Sequence, residues 1–292
     1  MPLDSESAYK CVVIYPTANF NSFYLLFDGT TSMNSLKLPI KKFLNMFDID
    51  IIKHQPNNNI NKKNRDFPAD FSQEEIEIIE LVNPYTMTSI ERLFSLTNAV
   101  KYIVQNDVPG DIVECGVWKG GSMMAVAKTL TKLGDRSRNL YLFDTFSGMT
   151  EPSDKDFDFR GNEAAEILRN SNKEDDISFW CCAQLNSVRE AMYSTGYEQE
   201  KIHFIKGMVE ETIPKYAPNN ISILRLDTDW YESTKHELIH LFPRLSKNGV
   251  IIIDDYGYWK GAKLAVDEYF SQNKIPIFLC RIDDTGRVAI KQ

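Results

Sequence analysis

The chain has 292 residues, 43% of them hydrophobic, which suffices for one large domain or one domain with an appendage. Lys and Arg number 33 against 41 Asp and Glu, a formal net charge of -8 with no basic stretch, which excludes an electrostatic nucleic-acid binder. No apolar run reaches membrane-spanning length, so a membrane protein of helical type is excluded too.

Two β-like runs open the chain, Ala8–Tyr15 and Ser22–Phe27, the second closed by Asp28-Gly29. Leu36–Ile52 mixes apolar residues with lysines and predicts a helix and a short strand. Gln55–Asn64 is polar and low in complexity, a linker composition. Residues 1–60 are therefore read as a small N-terminal extension and 61–292 as the main domain. The polar start, Met1–Lys10, carries no targeting signal, so a cytoplasmic location is expected. The five cysteines, Cys181-Cys182 included, contain no C-x-x-C pair and read as reduced thiols.

An acidic helix-like run follows Phe71. Thr88 and Glu91 then predict a capping box for a helix on which Leu93, Leu96, Val100, Ile103 and Val104 recur at helical spacing. Pro109-Gly110 breaks it. From here strands and helices alternate. Asp111–Val117 reads as a strand, Trp118–Ser122 as a glycine-rich turn, and Ser122–Leu133 as a helix stopped by Gly134. Leu140–Phe146 is a second strand. Met149 to about Lys201 is an acidic insertion containing a helix that Ser187 and Glu190 would cap; a long loop at the ligand end of a sheet is often a lid. Ile202–Gly207 is a third strand and Ile223–Leu226 a fourth. A helix with Thr234 and Glu237 in capping position follows, then a fifth strand, Val250–Ile253, and a helix from Ala262 to about Ser271. Ile275–Arg281 and Gly286–Ile290, joined by the turn residues Asp283–Gly286, predict a hairpin. Five parallel strands with helices and a terminal antiparallel hairpin make an α/β fold, the layout of a Rossmann-like class I methyltransferase sheet.

Strands four and five are short apolar runs without polar alternation, as suits burial on both faces. Each ends in acids. Ligands in open α/β sheets bind beyond the carboxyl ends of the strands, so Asp227, Asp254 and Asp255 should share one crevice. Three carboxylates repel one another unless a cation sits between them, and hard oxygen ligands suit Mg²⁺ or Mn²⁺. A divalent-metal site is therefore expected. Glycines after strand one and Asp144 after strand two resemble a nucleotide-binding half, in which Asp144 would take ribose hydroxyls. Glu114-x-Gly116-x-x-x-Gly120-Gly121 is not the dinucleotide fingerprint. Glu114 beside a pyrophosphate would be repulsive, whereas beside an ammonium and a sulfonium it is favourable. S-adenosylmethionine fits better than NAD.

Asp111–Ala125, Phe143–Met149, Leu226-Asp227-x-Asp229-x-Tyr231-Glu232-Ser233-Thr234 and Asp254-Asp255-Tyr256 resemble the motifs of the macrocin O-methyltransferase family. The resemblance spans roughly Asp66 to Lys291. It implies S-adenosylmethionine- and Mg²⁺-dependent methylation of a hydroxyl, typically on a deoxysugar of a natural product. Carried over by motif, Asp227, Asp254 and Asp255 hold the metal, and Asp227 is also the base. Glu114 and Gly116 lie along the aminoacid end of the cofactor. Asp144 lies at its ribose, with Thr145, Phe146, Ser147, Gly148 and Met208 nearby, and Thr86, Met87 and Thr88 close by. The insertion would be the substrate lid. The implied partner is a small-molecule or glycoside acceptor, and a homo-oligomer is expected. No lysine follows Asp227, where catechol-type relatives place one; His236 on the next helix is the alternative base, against the plainer reading of a surface histidine. Asp229 either orients the site or caps the next helix. Trp118, Trp230 and Trp259 either wall a sugar pocket or pack in the core.

Three rival readings stand beside this one. Asp227-Thr228-Asp229 with Asp254-Asp255 mimics a haloacid-dehalogenase-like phosphatase, but that motif belongs on a first strand. Tyr231-x-x-x-Lys235 and Tyr256-x-x-x-Lys260 mimic a reductase, but the dinucleotide fingerprint is missing. A non-catalytic binding protein on the same scaffold would tolerate damaged carboxylates, and all three are present.

Overall fold

The computed structural model describes residues 67–173 and 178–292 in full and, before residue 67, three strands. Contacts divide the chain into two units, Met1–Asp66 and Phe67–Gln292. In the first, β1 (Lys10–Pro16) pairs antiparallel with β2 (Phe23–Phe27) and with β3 (Ile49–Ile51). The two runs read as strands are thus partners, with Val12 opposite Leu25. The Asp28-Gly29 turn, the expected helix before β3 and the linker-like stretch lie outside the described residues.

The second unit opens with α1 (Gln73–Val82) and α2 (Ile90–Gln105). Then come β4 (Asp111–Cys115), α3 (Gly121–Leu133), β5 (Leu140–Asp144), α4 (Ala164–Arg169), α5 (Leu185–Tyr193), β6 (Ile202–Lys206) and α6 (Val209–Thr212). The rest is β7 (Ile221–Leu226), α7 (Tyr231–Leu241), β8 (Leu245–Ile253), α8 (Lys260–Gln272), β9 (Cys280–Arg281) and β10 (Arg287–Ile290). Among the described residues no helix is long and apolar enough to cross a membrane.

The sheet runs β6-β5-β4-β7-β8-β10-β9. The five strands β4 to β8 are parallel; β10 runs antiparallel to β8 and to β9. The apolar runs explain this arrangement. Successive strand residues point to opposite faces, so a strand covered on both sides needs apolar residues at every position. Ile112, Leu142, Ile223 and Ile252 enter one core with α1, α2, α3 and α5. Their neighbours Val113, Phe143, Leu224 and Ile253 enter the other with α7 and α8. The terminal hairpin forms as its turn residues predict, although β9 is only its last two residues before the turn. The order switches direction between β4 and β7, with β5 and β6 on one side and β8 on the other, which leaves a crevice beyond the carboxyl ends of β4 and β7.

Candidate active site

Strand register builds the acid cluster. Cys115 of β4 stands level with Leu226 of β7, and Leu226 with Ile253 of β8. The ladder runs one step past the strands: Asp227 N donates to Cys115 O at 2.8 Å, and Asp254 N to Leu226 O at 2.9 Å. Asp227 and Asp254 therefore leave adjacent strands side by side. Each of Asp227, Asp254 and Asp255 offers an oxygen, and these three oxygens lie within 4.8 Å of one another. Asp229 joins them. It adopts φ 68°, a left-handed conformation that aspartate tolerates better than most residues, and its N–H donates to Asp255 Oδ2 at 3.2 Å. It does not cap α7, whose N-cap is Trp230.

Beneath the cluster lies Arg225, only 3% exposed. It shares a sheet face with Glu114, its cross-strand partner in the register. Nη1 donates to Glu114 Oε1 and to Asp227 Oδ2, both at 2.7 Å; Nη2 donates to Asp254 Oδ1 at 2.6 Å and to Thr88 Oγ1 at 3.0 Å. A second arginine, Arg92 on α2, donates through Nη1 to Asp254 Oδ2 and through Nε to Asp283 Oδ2 in the hairpin turn. Both oxygens of Asp254 thus carry an arginine. The signal for this was present: an arginine inside the apolar run Ile223-Leu224-Arg225-Leu226 must find anions when buried.

Burial, opposed by Arg225 and reinforced by Asp254 and Asp255, pushes the Asp227 carboxyl well above its ordinary range. Burial and the neighbouring Asp229 and Asp254 do the same to Asp255. Asp229 is raised to about 7, first by burial and then by Asp227 and Asp254. Burial lifts Glu114 to about 7 against the pull of Arg225, and its Oε2 is buried with no hydrogen-bond partner. Anionic oxygens outnumber the cations here, so a proton or a metal is favoured between them.

A cavity of about 630 Å³ opens over this floor. Gly116, Asp144, Thr145, Gly148, Met208, Asp227, Asp254 and Asp255 line it, as do Thr86, Met87 and Thr88. Glu114 lies behind the wall, Phe146 is buried, and Ser147 is exposed to solvent away from the lining. Asp144 is already engaged. Its Oδ2 accepts from Val117 N at 2.7 Å and Trp118 N at 3.0 Å, and its Oδ1 from Phe146 N at 2.6 Å. It ties the glycine turn to the end of β5, which leaves less of it for ribose hydroxyls than its position suggests. Arg92, Arg225, Tyr85 and the insertion residues Asn170, Ser171, Ser178, Phe179 and Cys181 line the cavity without having been read from sequence.

Comparison with known proteins identifies the family. The family model of macrocin-O-methyltransferase matches residues 30–291. The chain belongs to the macrocin O-methyltransferase family. The match reaches further towards the N-terminus than the motifs do. The chain is 30% identical over 227 residues to demethyldecarbamoylnovobiocin O-methyltransferase of Streptomyces niveus, covering 78% of each chain. It is 32% identical over 206 residues to 8-demethyl-8-(2,3-dimethoxy-alpha-L-rhamnosyl)-tetracenomycin-C 4'-O-methyltransferase of Streptomyces olivaceus, covering 69% of this chain and 74% of the relative. The structure of the O-methyltransferase NovP superposes with a TM-score of 0.62 at 29% identity, covering 71% of this chain and 82% of the other. The fold is thus that of the Rossmann-like O-methyltransferases, and the protein is a methyltransferase.

Within this member of the family several expectations change. His236 is not an alternative base: its Nε2 lies 3.0 Å from Ile213 O, its ring packs on His240, and it does not line the cavity. The Y-x-x-x-K pairs also lie outside the cavity lining. Tyr231 OH donates to Glu268 at 2.6 Å beside Lys235, and Tyr256 OH donates to Asp267 at 2.7 Å. Ser89, not Thr88, caps α2, because its hydroxyl accepts from Arg92 N at 3.1 Å; Thr88 is turned to Arg225 instead. Neither Ser187 nor Thr234 caps a helix, since α5 and α7 begin at Leu185 and Tyr231. Glu237 is buried inside α7 and accepts from Thr228 Oγ1 at 2.9 Å. Trp118 and Trp259 line the cavity, while Trp230 packs edge-on against Trp259 in a small core. The insertion divides. Residues 170–172 with Ser178, Phe179 and Cys181 contribute to the cavity wall, but α5 belongs to the main core through Val188, Ala191 and Met192.

Proposed function

We propose that this chain transfers a methyl group from S-adenosylmethionine to a hydroxyl, that of a sugar in a natural product or glycoconjugate, with Mg²⁺ held by Asp227, Asp254 and Asp255. The observation that carries the metal is the convergence of three carboxylate oxygens within 4.8 Å at the carboxyl end of a parallel sheet. Asp144, Glu210, Asp227, Asp229, Asp254 and Asp255 line the cavity against Arg92 and Arg225, and among the described residues no lysine does. Such a floor suits a divalent cation with oxygen ligands and a cationic methyl donor. Glu114 Oε2 is buried and unpartnered beside the glycine turn but does not line the cavity, so an ammonium group would meet it only if the turn shifted. The sugar rests on the relatives, which are named for methylating demethyldecarbamoylnovobiocin and a rhamnosyl tetracenomycin.

Bound there, the methyl donor supplies an electrophilic carbon on a sulfonium, and Mg²⁺ supplies Lewis acidity to the acceptor hydroxyl. The chain's residues do the rest. Arg225 holds Asp227 by Oδ2, which leaves Oδ1 to receive the hydroxyl proton. Burial, with Asp254 and Asp255 beside it, raises the proton affinity of Asp227, and a cation held among the three carboxylates would favour the ionised form that a general base needs. Gly116 brings the turn of the donor site against the backbone of Asp227, so donor and acceptor are set on one rigid edge, where alignment contributes most.

The test is calorimetric titration with S-adenosylhomocysteine, with and without Mg²⁺, followed by a screen of soluble glycosides and nucleotide sugars with a labelled methyl donor. Binding of the homocysteine product and turnover abolished by EDTA are expected. Metal-independent turnover would remove the metal from the proposal, and phosphatase activity without product binding would overturn it.

A further inference from the structure

We propose that Asp156, from the insertion, is a positioning residue that sets the spacing between the two acid-bearing loops. It rests on the metal reading above. Asp156 lies in the acidic run Thr150–Asp158 and is 1% exposed. Its Oδ1 accepts from the N–H of Tyr231, the first residue of α7, at 2.8 Å. The same oxygen presses against the first turn of α8: a Cβ at Gly261 would lie 1.9 Å from it. One oxygen is thus wedged between the starts of two helices. Its Oδ2 accepts from Ser153 N at 2.7 Å and Ser153 Oγ at 2.8 Å, and its carbonyl accepts from Ala164 N at 2.9 Å at the start of α4.

Those two helices follow β7 and β8. Asp227 and Asp229 sit in the loop that enters α7, and Asp254 and Asp255 in the loop that enters α8. The loops carry like charge and repel, yet one cation needs their oxygens a few ångströms apart. An anion at a helix N-terminus is favourable, and here one carboxylate serves both helices. Its neighbours reinforce the clamp. Lys260 N donates to Phe157 O at 2.8 Å, and Trp230 Nε1 donates to Thr150 O at 3.0 Å. The other acids of the run do not share the role: Glu151 and Asp154 are exposed, and Asp158 closes its own turn on Arg160 N and Asn162 N.

The experiment is calorimetric titration of Mn²⁺ into the protein saturated with S-adenosylhomocysteine, for the native chain, Asp156→Asn, Asp156→Ala, Gly261→Ala and the Asp156→Ala/Gly261→Ala double variant. Loss of a residue that orients metal ligands weakens metal binding by about 10- to 100-fold, and that weakening is expected for Asp156→Ala and for Gly261→Ala. The double variant should be no weaker than the worse single, because without the Asp156 carboxylate a Cβ at position 261 has no oxygen there to displace. Asp156→Asn keeps an oxygen for Tyr231 N and should stay nearer the native value. Affinity for the homocysteine product without metal should hold within about twofold, a separation that general loosening of the fold would not give. Native Mn²⁺ affinity in folded Asp156→Ala or Gly261→Ala, additive losses, or equal loss of product affinity would each overturn the role of Asp156 and leave the metal reading standing. A native chain that binds no Mn²⁺ would overturn both.

Discussion

The Cα of Gly116 faces the carbonyl oxygen of Asp227 so closely that a Cβ there would lie 1.9 Å from it. The glycine turn and the acid loop are therefore one packed unit. Gly116 also has φ 82°, where any other residue is strained. Gly116→Ala should cost at least about 2 kcal/mol of stability, from left-handed strain plus displaced backbone. It should weaken binding of the homocysteine product and of the metal together, since both loops must move. Urea unfolding and calorimetry would check this; native stability would mean that the strands part easily.

Arg225 is the second joint. It holds Glu114, Asp227 and Asp254 together from a position in the sheet. Its removal leaves buried anions facing one another. Breaking a buried ion pair from one side costs about 3–5 kcal/mol, and Arg225→Met should fall in that range by urea unfolding at neutral pH. Arg225→Lys keeps the charge but lacks the planar fork that serves four acceptors, so it should recover only part of the loss. Adding Glu114→Gln to Arg225→Met should recover more stability than Glu114→Gln alone costs, because one uncompensated charge disappears. A native-like Arg225→Met would remove the arginine from this account.

Glu237 gives a pH prediction. Burial inside α7 raises its pKa well above 4.5, despite the hydrogen bond from Thr228. A carboxyl raised in the folded state favours folding by nothing below the unfolded pKa, where both states hold the proton. As pH climbs above about 4.5, the unfolded state ionises first and stability falls, until the folded pKa is passed. Glu237→Gln cannot ionise. It should match the native chain near pH 4 and be more stable at pH 8. Equilibrium unfolding at the two pH values gives the answer, and equal stability at pH 8 would show Glu237 charged and compensated.

What was legible in sequence follows from locality. The apolar runs of β7 and β8, the acids at their tips and the turn Trp118–Ser122 are contiguous, and each sets its own environment. Gly134 ends α3 in the left-handed conformation expected of it. What was not legible depends on register. Arg225 meets Glu114 and Asp254 only because β7 lies between β4 and β8, and no local pattern states that order. The helix caps failed for a related reason. Thr88 has the right spacing to Glu91, but the buried guanidinium of Arg225 claims its hydroxyl, and Ser89 takes the cap. Thr234 and Glu237 have the spacing of a cap, but α7 already begins at Tyr231. The length of the insertion and its place at the ligand end of the sheet do not show that Val188 and Met192 commit α5 to the core.

The clustered acids predict an exchange of stability for metal binding. Asp227 is held by one arginine, but burial and the neighbouring Asp254 and Asp255 drive its carboxyl towards the neutral form. Asp227→Asn removes a group whose ionisation the folded state opposes and keeps an oxygen that Arg225 can hold. Without metal it should therefore be as stable as the native chain or more so, as functional sites often trade stability for chemistry. Metal reverses the order. At a concentration of 100 times Kd, a ligand adds about 2.7 kcal/mol to the folded state, and only the native chain, with all three carboxylates, should gain it. Thermal unfolding in EDTA and then in Mg²⁺ would show the curves of the two proteins crossing, with turnover lost in Asp227→Asn and affinity for the homocysteine product kept. If Asp227→Asn unfolds at a lower temperature in EDTA, the cluster is held by pairing with Arg225 more strongly than it is strained by repulsion, and Asp227 is first a structural residue.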